Sequence, residues 1–389
     1  MVGGDLSMGR LFGAKTRTDR TAKRYGESTY AFLDRSALPQ FADVRDLLED
    51  WLAHLPIEGR SSMLAELRGD DHHFEATFFE LYLHEAYRRS GAAITIHPPT
   101  VSGKHPDFLI ESDLGRFYLE ATSVGETPER RAETARLEDV ERVLALVPAD
   151  RFTLMHEWHR IGPRPMPSAR LSRMLIRWLE SLPVESSAST RGLRDLPVIE
   201  FRQDGWHLRF TALSRRLNAT PGSLVGVRGP ASARVVVGGR AVLRVLDGKA
   251  NKYNPLDAPL VIAVLNNAED YAREWQLQQA LYGLAAIPPA AAQSGDLHSD
   301  GHWMTRAGWR RSHAPQVITV THLKPWTITR TVSWLWSSLD PQAAPPSQPG
   351  WLAPVDVTGQ DPVVSHAGTA TSHFGLPDDW LATAPAFEG

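Results

Sequence analysis

The chain has 389 residues, a formal net charge of −3, 42% hydrophobic and 22% charged residues, and no cysteine. That length and balance fit one decorated domain or two ordinary ones and exclude wholesale disorder. The lack of cysteine excludes disulfides, iron–sulfur clusters, thiol catalysis and Cys-ligated zinc, and the near-neutral charge excludes a histone-like coat.

Residues 1–27 are polar and basic (Arg10, Lys15, Arg17, Arg20, Lys23, Arg24) and lack an apolar signal core. They read as a flexible tail of a cytoplasmic protein, with a phosphate-gripping arm as the sharper alternative. No apolar run approaches the roughly 20 residues of a spanning helix, so no membrane is expected. Residues 28–70 read as a helical segment. Val44, Leu47, Leu48, Trp51 and Leu52 recur at helical period, Pro56 ends that helix, and SSMLAELRG forms another closed by Gly69.

The segment 71–90 is the strongest helix. Asp70 or Asp71 caps it, Arg88 and Arg89 suit its C-terminal dipole, and Gly91 stops it. Phe74, Phe78, Phe79, Leu81, Leu83 and Tyr87 cover most of its circumference, which predicts burial. Glu75, Glu80 and Glu85 lie on it. Glu80 sits inside FFELYL, where an unpaired charge is hardest to accommodate.

Three strands are predicted next, over 92–98, 107–112 and 116–124, the last two joined by the turn Asp113-Leu114-Gly115. Antiparallel folding about that turn sets Glu111 near Phe117, Leu109 near Leu119, and Asp107 near Glu120 or Ala121. Tyr118, Glu120 and Thr122 share one face of the second strand. Two carboxylates at one end of a hairpin can share a cation, and oxygen ligands suit Mg²⁺. A carboxylate within FYLEA is costly unless something pairs it.

Between 126 and 242 the pattern is less regular: a charged helix over 129–146, a strand in RFTLMHEWHRIG, a helix over 168–182, and a hairpin turning at Asp204-Gly205. Residues 243–253 read as a helix carrying Lys249 and Lys252 one turn apart. The run 259–267 reads as a strand buried on both faces, REWQLQQALYG as a helix closed by Gly283, and 316–323 as one more strand. From Asp340 the chain is Pro-rich and is expected to wrap the surface.

Glycine fingerprints for nucleotides, H-E-x-x-H and G-x-S-x-G are absent. His156-Glu157-Trp158-His159 has the wrong spacing for zinc, and His72-His73 reads as a solvated helix start. Arg306, Arg310 and Arg311 form the best local basic patch, read as a solvated edge. The twelve tryptophans read chiefly as core, with base stacking as the alternative.

Pro106-Asp107 at a strand start, Glu120-Ala121-Thr122 on the next strand and Glu80 on the preceding buried helix resemble the PD-(D/E)xK nuclease superfamily. The order helix, three strands, helix, strand also resembles that family, over about half the chain. The resemblance implies an α/β, restriction-endonuclease-like fold: a mixed sheet flanked by helices, with N- and C-terminal decorations. The core would span 71–290 with a large insertion at about 126–242, followed by a C-terminal extension, 291–389, with one strand. The implied activity is metal-dependent hydrolysis of DNA phosphodiesters, in genome maintenance or defence against foreign DNA. Mg²⁺ or Mn²⁺ would be held by Asp107, Glu120 and the Ala121 carbonyl, with Glu80 holding a metal-bound water or a second metal. A lysine would orient the attacking water and neutralise the phosphate in the transition state. The family's lysine falls at position 122, where this chain has Thr122. Some members carry it on the following helix, which makes Lys249 and Lys252 the candidates and Lys104 a distant third. DNA is the implied partner, and a homodimer is compatible with the family. The alternative is a catalytically inactive protein of this fold that binds DNA or a protein partner.

Overall fold

The computed structural model describes residues 9–24, 26–124, 152–183, 196–214, 238–253, 255–267, 272–283, 300–305, 307–310, 313–357, 363–364, 370–377 and 380–381, with short pieces of 136–147. In chain order the helices are α1 (Thr29–Arg35), α2 (Pro39–Ala53), α3 (Ile57–Leu67), α4 (Asp71–Arg89), α5 (Ser168–Ser181), α6 (Gly238–Lys252), α7 (Glu274–Tyr282) and α8 (Ala370–Phe374). The strands are β1 (Ala93–Ile96), β2 (Phe108–Ser112), β3 (Gly115–Ser123), β4 (Phe152–Arg160), β5 (Val198–Gln203), β6 (Trp206–Ser214), β7 (Leu260–Leu265), β8 (Met304–Thr305), β9 (Gly308–Trp309), β10 (Gln316–Thr321), β11 (Val332–Ser337), β12 (Ala353–Asp356) and β13 (Val363–Val364). No described helix is long and apolar enough to cross a membrane. The chain forms two units, one of residues 1–23, 27–125 and 235–389, the other of 24–26 and 126–234.

The first unit is α/β. Its sheet has eight strands in the order β1-β2-β3-β7-β10-β11-β12-β13. The middle strands β3, β7 and β10 run parallel, while β1, β2 and β11 are antiparallel to their neighbours on the β3 and β10 sides. Every residue of β7 is buried, which is what a continuous LVIAVL run requires of a central strand. Alternation sends Phe117, Leu119, Val261, Ala263 and Ile318 to the α4 side. Tyr118, Leu260, Ile262 and Val264 go to the other side, with Val242, Leu246 and Tyr253 near α6 and Leu277 from α7.

The hairpin register differs by one residue from the sequence expectation. Ser112 pairs Gly115, so the loop is the two residues Asp113-Leu114; Glu111 faces Arg116, and Leu109 faces Tyr118. Gly115, at φ +135, already belongs to β3 instead of the turn. Continuing this register by one step past Phe108↔Leu119 sets Asp107 opposite Glu120.

Both chain ends depart from expectation. Residues 9–24 of the N-terminal segment are anchored, not free: Leu11 and Phe12 are buried, and Phe12 stacks on Tyr30 at 5.7 Å between centroids, while residues 1–8 lie outside the described residues. Its cations meet acids of the helices, with Arg17 on Asp34 at 3.1 Å and Lys23 on Asp71 at 2.7 Å. Asp71 is engaged in this way, and Asp70 is the α4 cap, accepting from the His73 N–H at 2.9 Å. At the C-terminus the extension contributes more than one strand. β11 and β12 continue the main sheet, and Trp351 packs edge-on against Tyr82 and Tyr87 at 6.1 and 5.7 Å. The Pro-rich stretch 341–350 itself runs exposed or half-buried along the surface, as expected, and the chain enters the core only at Trp351 and Leu352, whose burial holds it in place.

In the second unit β4, β6 and β5 form an antiparallel sheet. Gln203 pairs Trp206 across Asp204 (φ +50) and Gly205 (φ +85), two left-handed residues that match the Asp-Gly hairpin signal. Leu171, Leu175 and Leu179 of α5 recur along one helical face and join Phe201, Leu208 and Phe210 in a separate core. His156 to His159 lie on β4, where a spacing of three residues sends two side chains to opposite faces. Most of the predicted 129–146 helix and all of 215–237 lie outside the described residues.

Candidate active site

Strand β3 carries Glu120 into the first unit with 1% of its side chain exposed. Its neighbours on the same sheet face are Tyr118 and Thr122, so nothing on its own strand compensates the charge. The compensation comes from α6. The Lys249 ammonium donates to Glu120 Oε1 at 2.6 Å, and the Lys252 ammonium stands 3.4 Å from the same oxygen. The Tyr253 hydroxyl donates to the other oxygen, Oε2, at 2.6 Å. Lys249 and Lys252 are one helical turn apart and so reach one target. Position 122, where a lysine would share this face, holds Thr122, and the cations arrive from the helix.

Asp107 precedes β2 and sits beside Glu120. Its Oδ2 accepts the Ala121 backbone N–H at 2.7 Å. Its own carbonyl accepts from the His97 N–H at 2.9 Å, and His105 Nδ1 donates to the His97 carbonyl at 3.0 Å. His97 holds a left-handed φ of +47, a conformation that a non-glycine residue keeps only under external restraint. These bonds fix the loop from 97 to 106 onto the start of β2. From that loop Lys104 donates to the Lys252 carbonyl at 2.7 Å, at the end of α6. Three lysines thus gather at the C-terminus of α6, where the helix dipole favours positive charge. Lys104 contacts backbone and neither carboxylate.

Glu80 approaches from α4. No hydrogen bond or ion pair joins its carboxylate to any other described residue. Burial, then Asp107, Glu66 and Glu120, push its pKa up to about 8, against a smaller opposing effect of Lys249. Burial and the neighbouring Glu120 also raise the Asp107 carboxyl well above the usual range, with the Ala121 N–H and the two lysines opposing. The Tyr253 phenol is raised by burial and by Glu120, so it stays a proton donor.

The structure therefore brings Glu80, Asp107, Glu120, Ala121, Lys249 and Lys252 into one neighbourhood. Ala121 meets Asp107 through its N–H. Tyr253, Glu66 and the His97–His105 tether are additional members that sequence reading passed over. The available signal for Tyr253 was its place next to Lys252 in KANKY. Glu75 instead pairs with Lys324 at 2.9 Å, and Glu85 with Arg88 and Arg89. Of the basic patch, Arg310 lies 3.2 Å from Asp247, while Arg306 and Arg311 fall outside the described residues. Trp303 and Trp336 are fully buried and serve the core. Among the described residues no group of three or more His, Asp and Glu side chains is arranged as a ready cage for a metal.

The donors that are present are hard oxygens, and burial together with neighbouring carboxylates raises the carboxyls of Glu80 and Asp107. That chemistry fits a divalent cation such as Mg²⁺ or Mn²⁺. No family model, curated protein or solved structure matches this chain.

Proposed function

We propose that the chain is a metal-dependent nuclease of the PD-(D/E)xK, restriction-endonuclease-like class, hydrolysing DNA phosphodiesters with Mg²⁺ or Mn²⁺. The observation that carries this reading is the convergence of Lys249 and Lys252 on Glu120 beside Asp107, which supplies from α6 the cation missing at Thr122. The mixed sheet with three parallel central strands supports the same class.

Asp107, Glu120 and Glu80 would hold the cation, which when bound lowers the pKa of a water and offsets charge on the phosphate. The protein's own contribution is positioning. The Ala121 N–H aims Asp107, and the Tyr253 hydroxyl aims Glu120. Lys249, released from Glu120 Oε1, is placed to orient the attacking water and to stabilise negative charge on the phosphate oxygens. Lys252 and Lys104 add positive charge for the nucleic-acid backbone.

The test is cleavage of plasmid and linear DNA by purified protein with Mg²⁺ or Mn²⁺. Activity that disappears with chelator and in Glu120→Ala supports the reading. Activity that persists in Glu120→Ala removes it. The second reading, a DNA-binding protein without catalysis, has its own support in Thr122 and in the occupation of both Glu120 oxygens by protein donors. Salt-sensitive DNA binding without cleavage under any divalent cation would favour it.

A further inference from the structure

We propose that Tyr253 is a positioning residue that leaves Glu120 a single exchangeable oxygen and thereby selects a small octahedral cation over Ca²⁺. The proposal rests on the metal-dependent reading of the same site.

The two oxygens of Glu120 have unlike partners. Oε1 faces the ammonium groups of Lys249 and Lys252, whose side chains are 29% and 43% exposed. Those are long, flexible stems that can swing into solvent. Oε2 faces the phenol of Tyr253, a fully buried ring within the cluster around Leu246, Leu260 and Ile262. That ring has no room to retreat, because packing at interior density fixes it. An arriving cation can therefore displace a lysine from Oε1 but not the phenol from Oε2.

Coordination by one oxygen is what Mg²⁺ accepts, since it keeps several waters and demands a regular octahedron. Ca²⁺ takes more ligands and often a carboxylate through both oxygens. Blocking Oε2 handicaps Ca²⁺ selectively. The same ring lies 4.6 Å beneath the Lys252 ammonium, so Tyr253 also seats that lysine. Tyr253→Phe keeps the ring and removes only the hydroxyl, which separates the two roles.

The experiment is calorimetric titration of Mg²⁺, Mn²⁺ and Ca²⁺ into the full chain, as wild type, Tyr253→Phe and Glu120→Gln, with DNA cleavage kinetics alongside. In Tyr253→Phe the affinity for Ca²⁺ relative to Mg²⁺ should rise about tenfold, as expected for freeing a charged hydrogen-bond acceptor. Mg²⁺-supported kcat should fall while KM for DNA holds, the signature of lost orientation rather than lost binding. The Ca²⁺ to Mg²⁺ ratio is taken within one variant, so any loss of folded fraction cancels from it. An unchanged ratio in Tyr253→Phe, with binding that Glu120→Gln abolishes, overturns the role of Tyr253 and leaves the metal site standing. Cation binding indifferent to Glu120→Gln, or none in the wild type, overturns both.

Discussion

Glu80 and Glu85 stand little more than one turn apart on α4 and meet opposite surroundings. Glu85 has no exposed side-chain surface, yet Arg88 and Arg89 donate to it at 2.6–2.8 Å and His54 Nδ1 lies 3.1 Å away. Burial opposes its ionisation, and the arginine hydrogen bonds outweigh that cost, so its carboxyl is held below the usual range. Glu80 meets Asp107, Glu66 and Glu120 with no arginine paired to it among the described residues, and burial first, then those acids, push its carboxyl up to about 8. One end of the helix has its charge neutralised from within, which is the arrangement expected of a structural ion pair. The middle of the helix, at Glu80, buries a carboxyl among other carboxylates, which is the arrangement expected of a candidate functional group. Two glutamates of one helix thus ionise differently according to their burial and what faces them.

The comparison sharpens most at Glu120. Glu120→Gln should lower kcat roughly 10³-fold, the scale of a lost electrostatic group at a reacting phosphate, with the melting temperature held or raised. A variant that loses activity only because it unfolds would make Glu120 structural, like Glu85. Next comes Lys249→Ala, expected to cost about 10²-fold in kcat with little change in KM, because its charge acts chiefly on the transition state. Lys252→Ala should cost less, given its longer 3.4 Å approach. Full turnover in the double variant would break the assignment of these lysines.

Glu85→Ala should leave cation binding intact and destabilise the fold by about 3 kcal/mol, below the largest values for broken buried pairs because the two arginines are partly exposed. A chemical denaturation curve measures it, and a loss under about 0.5 kcal/mol would place the pair among ordinary surface bridges.

A further effect, at Glu80, depends on pH. Its pKa is raised from 4.5 to about 8 in the folded chain. The folded state therefore favours the protonated form. That stabilisation is complete below the unfolded value and is lost as pH rises through the folded one. In chelator, the melting temperature should fall between about pH 5 and pH 8.5, and Glu80→Gln should flatten the decline by a few degrees. Added Mg²⁺ should do the same for the wild type. A pH profile identical in Glu80→Gln and wild type would show that Glu80 is already neutralised.

Local patterns are legible in the sequence, and distant partners are not. The β2–β3 hairpin was visible because β-branched and aromatic runs flank a short Gly-containing turn, and its register erred by one because Gly115 serves as strand instead of loop. That slip moved Leu109 from Leu119 to Tyr118 but left Asp107 and Glu120 as neighbours, since both lie at the open end of the hairpin. The helix bearing Lys249 and Lys252 was recognisable from its own composition. Its approach to Glu120 is expected only through the family resemblance, because nothing in α6 itself encodes which strand it will cover. Tyr253 carried no polar pattern of its own. Leu11, Phe12 and Trp351 were missed because each is an isolated apolar residue in a polar or Pro-rich stretch, and its burial depends on partners far along the chain.

The strand β7 lies between β3 and β10 and pairs in register with both. In chain order, the whole second unit separates it from β3. As the protein emerges from the ribosome, β1, β2 and β3 can form only a three-stranded meander with one naked parallel edge. Glu120 meets neither Lys249 nor Tyr253 until more than a hundred further residues have followed, and β7 appears only after those partners. Long-range parallel pairing is slow, and a second unit that folds first shortens the distance the ends must search. The cluster around Glu120 accordingly stays incomplete until translation passes β7.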